Sequence, residues 1–296
     1  MSQTATALRR EPEDIAITPL AAPLGAQVSG LDARQPLAAE QILALKQALR
    51  DHHILIFKNQ QLDDRQFLDF STYFGSVFQP PADIPVLSSG EDGKAPQIVK
   101  VANTGDGELG NFALPPHTDH HWTPTPSAGS LLYALEVPKQ GGETSWYNLV
   151  LAYESLDEAT KREIEGLRLI NYNPFIRIRA GGYGGAHVSY RTPDIEAIQG
   201  SEHPLVRVHP ESGKRLLYLS VLTEVEIPDY DPQRGQELIA RLREHIASPR
   251  FYYTHKWAVG DIVYWDNQAT LHARTAFDAS ERRNLKRISL AGSRPF

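Results

Sequence analysis

Cysteine is absent from this chain of 296 residues. Its absence excludes disulfides, thiolate metal ligands and cysteine nucleophiles, so any metal ion would have to be held by histidine, aspartate or glutamate. Long apolar runs are also missing, since no segment approaches the roughly 20 residues that a membrane-spanning helix needs. The first residues, MSQTATALRREPEDI, lack the apolar core of about 7–15 residues that a secretory signal needs. We therefore expect a cytoplasmic protein.

A strong charge of either sign is lacking as well. The formal net charge is -6 and the pI is about 6.0, which argues against nucleic acid or an anionic membrane as the main partner. The apolar fraction of 41% and the charged fraction of 22% are ordinary for a globular protein. Because the chain has no repeat, low-complexity tract or linker, we expect one domain over residues 1–296, with a disordered tail at about 1–14.

Hydrophobic periodicity and capping signals predict a few helices. The stretch AEQILALKQALRDH repeats its apolar residues with helical spacing. Asp63, with Gln66 three residues later, forms a capping-box pattern, and Asp231 stands directly before a proline. Residues 148–167 are predicted to form one further helix.

Short apolar or alternating runs predict a larger number of strands. SAGSLLYALEV is typical of a buried strand, and FYYTHKWAVGDIVYWDNQATLHARTAF and RISLAGSRP are typical of strands joined by tight turns. Many short strands around a few helices predict a mixed α/β, mainly β fold, a sandwich or jelly roll with flanking helices.

Two long stretches show no regular period. Residues 79–116 contain six prolines and several glycines, and residues 172–204 include RAGGYGGAH. Loops of this length in a compact protein are often lids or binding loops. Both are therefore candidate lids, and a disordered surface loop is the alternative for 172–204.

The segment FALPPHTDHHWTPT carries four candidate metal ligands within five positions: His117, Asp119, His120 and His121. Residues i and i+2 of an extended segment point the same way, so the spacing allows His117 with Asp119, or Asp119 with His121. Either pair, with one distant histidine, would form a 2-His-1-carboxylate set, whose open positions suit Fe(II). A polar turn without metal is the alternative.

A third ligand would come from elsewhere in the chain. The candidates are His187, His203, His209, His245, His255 and His272. His272 stands out because arginines follow it at positions 274, 282, 283 and 287. An arginine buried near a metal needs an anion, and its planar fork matches a carboxylate. For Arg274 and Arg282 we expect instead a solvated charged face.

Several motifs follow one another in a recognisable order. They are PLGAQVSGLD, ILIFKNQQL, YFGSV, HTD, PSAGSLLYALEVPKQGGETSWYN, HPLVRVHPESGKRLLY, WAVGDIVYWDNQATLHAR and RRNLKRISLAG. Over nearly its whole length the chain resembles the taurine/2,4-D dioxygenase (TauD/TfdA-like) family of Fe(II)- and 2-oxoglutarate-dependent oxygenases. The resemblance implies a double-stranded β-helix, or jelly roll, with long active-site loops. It also implies O2 as a cosubstrate and a homo-oligomer, either a dimer or a tetramer.

The resemblance assigns His117, Asp119 and His272 to the metal. It assigns Thr144, in GGETSW, and Arg283, eleven residues after His272, to the distal carboxylate of 2-oxoglutarate. The implied reaction hydroxylates or desaturates an unactivated C–H bond of a small substrate, with succinate and CO2 as products. Asp119 favours these outcomes over chlorination, because related halogenases carry a small residue in its place.

The substrate side departs from the taurine enzyme. Pro116 stands where the family usually has tryptophan, Ala113 replaces an asparagine, and Pro80 lies near the position of a sulfonate-binding histidine. Arg287 matches a position that holds an anionic group, so we expect an anionic substrate, with a structural ion pair as the alternative. The other candidate substrate contacts are His120, Phe112, Trp122 and Tyr183, with core or lid packing as the alternative for the three aromatic residues.

Two other functions use the same residues differently. A Zn(II) hydrolase on the same three ligands would need a general base and no carboxylate clamp, so Arg283 and Thr144 argue against it. A non-catalytic jelly-roll binding protein predicts the loss of at least one ligand, whereas all three are present in the sequence.

Overall fold

The computed structural model describes residues 15–81, 84, 86, 95–105, 107–173, 200–223 and 225–296. The tail expected at about 1–14 and most of the candidate lid 172–204 lie outside the described residues, so both stay predictions.

The described residues form short helices and a larger number of strands. The helices are α1 (Ala39–His52), α2 (Asp64–Thr72), α3 (Leu149–Glu154), α4 (Glu158–Ile164) and α5 (Pro232–Ile246), followed by a 3₁₀ turn at Pro249–Phe251. The strands are β1 (Ala16–Pro19), β2 (Ala26–Ser29), β3 (Ile54–Phe57), β4 (Val99–Ala102), β5 (Leu114–His117), β6 (Gly129–Glu136), β7 (Thr144–Asn148), β8 (Arg168–Asn171), β9 (Ser201–Pro204), β10 (Val206–Val208), β11 (Arg215–Leu217), β12 (Val225–Glu226), β13 (Tyr252–His255), β14 (Ile262–Asp266), β15 (Thr270–Arg274) and β16 (Asn284–Leu290).

Two sheets form the body of the molecule. The larger has the strand order β1-β2-β3-β14-β6-β16-β4, and the smaller has the order β13-β7-β15-β5. Their inner faces share one apolar core, to which β14 contributes Val263 and Trp265, and β7 contributes Trp146. The predicted mainly β jelly roll is confirmed.

Central strands of the larger sheet are buried on both faces. In β14, Ile262 and Tyr264 pack in a second core with residues of α1 and α2, while the alternate residues face the smaller sheet. A strand buried on both sides has an uninterrupted apolar sequence, which explains IVYW and SLLYAL. A third core joins α3 and α5 to β11 and to Leu271 of β15, so the smaller sheet is also covered.

The capping signals mark helix starts correctly. The Asp63 carboxylate accepts from the Gln66 backbone N–H at 2.8 Å, and the Gln66 side chain accepts from the Asp63 N–H at 3.0 Å. Asp231 accepts from the Arg234 N–H at 2.9 Å, with a proline as the first residue of α5. These bonds satisfy N–H groups that have no partner within the helix.

Residues 148–167 are mostly helical, as predicted, but they form two helices, α3 and α4, and not one. The Ser155 hydroxyl donates to the Leu151 carbonyl at 2.7 Å at the end of α3. Asp157 then caps a new helix by accepting from the Thr160 N–H at 2.8 Å. Serine and aspartate side chains compete in this way with continued helical bonding.

The stretch 79–116 is not one continuous loop. It contains β4, which pairs with β16, and the first residues of β5, which pairs with β15. Likewise, β9 occupies the end of 172–204 and pairs with β8. The prediction of irregular structure is wrong at these strands. An edge strand tolerates proline, and hydrophobic periodicity is weak over only four residues. A lid role for the remaining parts stays a prediction.

Within the described part of the chain, every helix is too short or too polar to cross a membrane.

Candidate active site

Two paired strands bring distant histidines together. β5 and β15 are antiparallel, and His117 lies directly opposite His272 in their register. The two imidazole centroids are 4.1 Å apart. The pairing then shifts by one residue, where β5 carries Pro115 and Pro116 at the edge of the smaller sheet. An edge strand accommodates prolines because their missing N–H faces away from the sheet.

Asp119 completes a three-residue cluster with these histidines, which we call the triad. One ligand atom from each residue lies within 4.8 Å of the others. Asp119 Oδ1 is 3.8 Å from Nε2 of His117 and 3.9 Å from Nε2 of His272. In the part of the chain that the structure describes, no other group of three such residues has this spacing.

Hydrogen bonding and burial prepare the triad for a cation. Nδ1 of His117 donates to the Pro115 carbonyl at 2.8 Å, which leaves Nε2 with a free lone pair. Burial lowers the pKa of His117. Burial, followed by the charge of His117, lowers the pKa of His272 to about 3. Burial opposes ionisation of Asp119, but Arg287 and then His272 outweigh it and hold the carboxyl pKa well below its usual value.

This donor set fits a divalent iron. Two neutral imidazoles and one carboxylate converge from one side, which is the ligand set of iron sites that keep open positions. The low pKa values mean that no proton must be displaced from these ligands at neutral pH.

A tether that the sequence analysis missed holds the triad segment. The Asn267 side-chain oxygen accepts from the Asp119 N–H at 2.9 Å. Its amide nitrogen donates to the carbonyls of Asp119 and Ser127 at 3.0 and 2.9 Å. Asn267 belongs to the motif WDNQATLHAR, but its side-chain partners Asp119 and Ser127 are 148 and 140 residues away and could not be inferred from local spacing.

The two histidines after Asp119 do not join the triad. His120 has a φ of 60°, stacks on Phe78 at 4.1 Å between ring centroids, and lies 3.0 Å from the Ser127 hydroxyl. His121 is fully buried and packs against His203 and Tyr218. The left-handed turn at His120 breaks strand alternation, so the pairing of Asp119 with His121 is wrong.

Arg287 pairs with the triad carboxylate. Its Nη1 donates to both oxygens of Asp119, at 3.1 and 3.2 Å. The structural ion pair, which was the alternative role for Arg287, is therefore present in the fold. Arg287 also lines the two openings described next, so it borders the space around the triad.

A cavity lies beside the triad, and we call it the arginine cavity. Its polar lining consists of His117, His272, Thr144, Arg274, Arg283 and Arg287. Aliphatic side chains, among them Leu109 and Leu132, and the indole of Trp265 form the rest of its wall.

Arg283 is the buried cation of this cavity. Its side chain is 2% exposed, and Nε donates to the Gly142 carbonyl at 3.1 Å. Among the described residues, Nη1 has no hydrogen-bond acceptor and the guanidinium forms no salt bridge, although the Glu143 carboxylate is near enough to raise its pKa. Burial and the nearby Arg274 lower the pKa of Arg283 to about 9. A buried cation of this kind fits the carboxylate of an anionic ligand.

Arg274 is a second buried arginine, which corrects the expected solvated face. It is 6% exposed, and Nη2 donates to the carbonyls of Leu109 and Phe112. Those carbonyls belong to the segment that leads into β5. The expectation for Arg282 is correct, because its side chain is 67% exposed and pairs with Glu136.

A second, small recess with a mixed polar and apolar lining also borders Arg287. Its wall includes Val77, Phe78, Val86, Val99, His120 and Ser289. Trp122 is buried behind it in a cluster with Phe78 and Val86. We call this space the Phe78 recess. Phe78 was not singled out in the sequence, since an aromatic residue in an irregular stretch gives no signal of its partner.

The remaining candidates are placed less centrally. Phe112 is 43% exposed. The Arg274 guanidinium carbon lies over its ring, 5.7 Å from the ring centroid. Tyr183 and His187 lie outside the described residues. The other candidate histidines have partners elsewhere: His203 with backbone carbonyls, His209 with Asp266, His245 with the Ala152 carbonyl and His255 with Asp261. Substrate roles for Phe112, Trp122 and Tyr183 stay predictions.

Known proteins are similar to this chain over nearly its whole length. Residues 16–289 match the family described as taurine catabolism dioxygenase TauD, TfdA family. The alpha-ketoglutarate-dependent 2,4-dichlorophenoxyacetate dioxygenase of Burkholderia sp. (strain RASC) is 30% identical, over 90% of this chain and 91% of that protein. The alpha-ketoglutarate-dependent sulfate ester dioxygenase of Pseudomonas putida is 28% identical, over 100% and 95%. The crystal structure of AAD-2 in complex with Mn(II) and N-oxalylglycine is 31% identical with a TM-score of 0.78, covering 95% of this chain and 99% of that one.

Proposed function

Because the chain belongs to the TauD/TfdA family of alpha-ketoglutarate-dependent dioxygenases, we propose that it hydroxylates, or desaturates, an unactivated C–H bond of a small anionic substrate. The cosubstrates are 2-oxoglutarate and O2, and the products of the cosubstrate are succinate and CO2. The observation that carries the proposal is that two histidines of the buried triad, His117 and His272, line the same cavity as the Arg283 guanidinium, which forms no salt bridge among the described residues.

We assign His117, Asp119 and His272 to the metal. When bound there, Fe(II) with 2-oxoglutarate supplies the activation of O2 and the oxidative decarboxylation that drives C–H cleavage. The protein supplies a fixed ligand set: β5 and β15 hold the imidazoles, Asn267 holds the backbone of Asp119, and Arg287 holds its carboxylate. These contacts orient the ligands before any metal arrives, which reduces the entropy lost on binding.

We assign Arg283 and Thr144 to the distal carboxylate of 2-oxoglutarate. Arg283 projects into the arginine cavity from the segment just before β16, and Thr144 from the first residue of β7. A guanidinium and a hydroxyl together offer several donors to one carboxylate. Because the cavity wall is otherwise largely aliphatic, water competes poorly for these donors.

We place the substrate between Arg287 and the Phe78 recess. Arg287 offers a cation next to the triad, and the recess offers apolar walls of Phe78 and Val99. An anionic group joined to an apolar body suits that combination. The two named relatives, a dichlorophenoxyacetate dioxygenase and a sulfate ester dioxygenase, act on compounds of this kind. His120, stacked on Phe78, would line the same space.

The proposal is tested by O2 consumption that depends on substrate. Protein with Fe(II) and 2-oxoglutarate would be offered a panel of aryloxyalkanoates, sulfate esters, sulfonates and neutral analogues, with succinate measured in parallel. We expect anionic, apolar members to trigger O2 uptake with equal formation of succinate. His272→Ala should abolish both signals. O2 uptake that is the same in this variant would exclude the assigned site.

A Zn(II) hydrolase on the same triad is the second candidate. It would need a general base beside the metal-bound water, whereas the described cavity presents arginines and aliphatic groups there. Hydrolysis of ester substrates with Zn(II), in the absence of O2 and 2-oxoglutarate, would favour this candidate over the dioxygenase. The dimer or tetramer and the cytoplasmic location expected from the sequence stay predictions.

A further inference from the structure

Thr144 has a hydrogen-bond donor behind it. The indole Nε1 of Trp257 donates to Thr144 Oγ1 at 2.9 Å. Thr144 is 3% exposed and Trp257 is 7% exposed. Thr144 lines the arginine cavity, whereas Trp257 is not among the residues of its wall. The bond therefore reaches the threonine hydroxyl from the protein side.

The direction of this bond determines what the hydroxyl can still do. An indole N–H is only a donor, whereas a hydroxyl has one hydrogen to donate and two lone pairs to accept with. Trp257 therefore occupies a lone pair of Thr144 and leaves its hydrogen unused. In the described part of the chain that hydrogen has no acceptor. A carboxylate in the arginine cavity accepts hydrogen bonds and cannot donate them when ionised.

The fold fixes the indole in this position. β13 pairs with β7 so that His255 lies opposite Thr144, and Trp257 follows two residues after the end of β13. His255 packs edge-on against the Trp257 ring at 4.9 Å between centroids, and its Nε2 is 2.9 Å from Asp261 Oδ2. Lys58 donates to the same carboxylate oxygen at 2.6 Å. The Trp257 ring therefore packs against His255, which is held in place by the ion-paired Asp261 carboxylate.

We propose that Trp257 is a positioning residue for 2-oxoglutarate, because its N–H orients the Thr144 hydroxyl as a donor to the distal carboxylate. The inference rests on the proposed role of Thr144 in that site. Without the indole N–H, the hydroxyl loses the bond that fixes its rotation, and a water molecule or another acceptor competes for its hydrogen. A residue that acts through another in this way is effective only where packing and hydrogen bonds hold the geometry rigidly.

The test measures binding of two 2-oxo acids to the Fe(II)-loaded protein without O2, by calorimetry. One is 2-oxoglutarate, and the other is 2-oxopentanoate, which has the same chain length but lacks the distal carboxylate. Trp257→Phe keeps an aromatic ring and removes the N–H. We expect it to raise the Kd of 2-oxoglutarate by about three- to tenfold, the range of a weakened hydrogen bond to a charged group. The Kd of 2-oxopentanoate should not change.

Trp146→Phe is the matched control. Trp146 is a fully buried neighbour of Trp257, 6.2 Å away between ring centroids, and its Nε1 has no acceptor among the described residues. The control removes the same N–H group from the same core, and this N–H makes no hydrogen bond to Thr144. Equal effects of the two variants, or equal changes in the Kd of both acids, would overturn the proposal because they indicate a general loss of packing.

A double-mutant cycle separates this inference from the proposed function. Thr144→Val should weaken 2-oxoglutarate binding, and adding Trp257→Phe to it should have no further effect. If Thr144→Val has no effect, the assignment of Thr144 in the proposed function fails. If Thr144→Val weakens binding but Trp257→Phe does not, only the role of Trp257 fails.

A measurement on unmutated Trp257 covers the case in which Trp257→Phe does not fold. With ¹⁵N-labelled tryptophan, the chain gives indole signals from four residues, and Thr144→Val identifies the one from Trp257. With diamagnetic Zn(II) and 2-oxoglutarate bound, we expect this N–H to stay protected from hydrogen exchange. Rapid exchange in the complex would mean that the bond is broken when the ligand binds, and would overturn the proposal.

Discussion

Arg282 and Arg283 are neighbours in sequence with opposite environments. Arg282 points outward to Glu136, with its side chain 67% exposed, whereas Arg283 is almost fully enclosed in the arginine cavity. A surface ion pair is typically worth about 0–1 kcal/mol, whereas removing one partner of a buried charge pair costs roughly 2–5 kcal/mol. The pair therefore offers a matched comparison of one charge in two settings.

We predict that Arg283→Met raises the Kd of 2-oxoglutarate by on the order of 30- to 1,000-fold, the effect of truncating one partner of a buried charge pair. Arg282→Met, its control, should leave this Kd unchanged. Calorimetry on the Fe(II)-loaded protein without O2 measures both. Comparable affinity in the two variants would mean that Arg283 does not contact the ligand.

Arg287 combines two roles that one variant can separate. We predict that Arg287→Met weakens Fe(II) binding by about 10- to 100-fold, because Asp119 loses the donor that orients it. If Arg287 also meets an anionic substrate, the KM for anionic substrates should rise more than the KM for neutral analogues at saturating Fe(II). Lys286→Met, on the same strand and paired with Asp64, is the control. Equal KM changes for both substrate classes would leave Arg287 as a support for Asp119 alone.

At the scale of elements, the turn between β14 and β15 is as important to the site as the strands that carry the ligands. Asn267 lies in this turn and bonds the backbone of Asp119 from both its oxygen and its nitrogen. Since β15 also carries His272, one turn sets the position of the third ligand relative to the other two.

We predict that Asn267→Ala lowers Fe(II) affinity by about 10- to 100-fold, because the Asp119 backbone loses its buried partners. Asn148→Ala is the control, since this asparagine caps α3 by accepting from the Leu151 N–H at 2.9 Å and donates to the Pro23 carbonyl, not to the triad segment. Both variants should lose stability in urea unfolding, and only Asn267→Ala should lose metal affinity. Unchanged Fe(II) affinity in Asn267→Ala would contradict the tether.

Elements were predictable from sequence where local chemistry decides them. The capping pair Asp63 and Gln66 bonds within one helical turn, so its sequence pattern contains the whole interaction. The break between α3 and α4 was missed because apolar spacing over 148–167 resembles one helix, whereas Ser155 and Asp157 end and restart it. β4 was missed because its pairing with β16 is long-range, and a four-residue strand leaves no clear period.

The site divides in the same way. His117, Asp119, His272, Thr144 and Arg283 could be proposed because they lie in motifs that match the family that the chain resembles. Contacts made across the fold could not be inferred. The stack of His120 on Phe78, the tether from Asn267 and the burial of Arg274 depend on which faces the two sheets turn toward each other.

On the scale of the whole molecule, the compact core carries several neutral histidines. Burial lowers the pKa of His53 to about 4. The charge of Asp266 opposes this shift, and the charge of Lys214 adds to it. Burial also lowers the pKa of His203 to about 4, although its Nε2 bonds the carbonyls of His121 and Thr123. The unfolded chain binds protons at these residues near pH 6.5, so between the two values it holds more protons than the fold.

We therefore predict that the stability of the metal-free protein falls as the pH is lowered from about 6.5 toward 4, by up to about 1.4 kcal/mol per pH unit for each such histidine. His53→Asn should flatten this dependence, and asparagine tolerates the left-handed φ of 64° at this helix end. His52→Asn, one residue earlier on α1, should keep the original slope. Urea unfolding at several pH values between 7 and 4.5 measures the slopes. An unchanged slope in His53→Asn would mean that this ring is already accessible to protons in the fold.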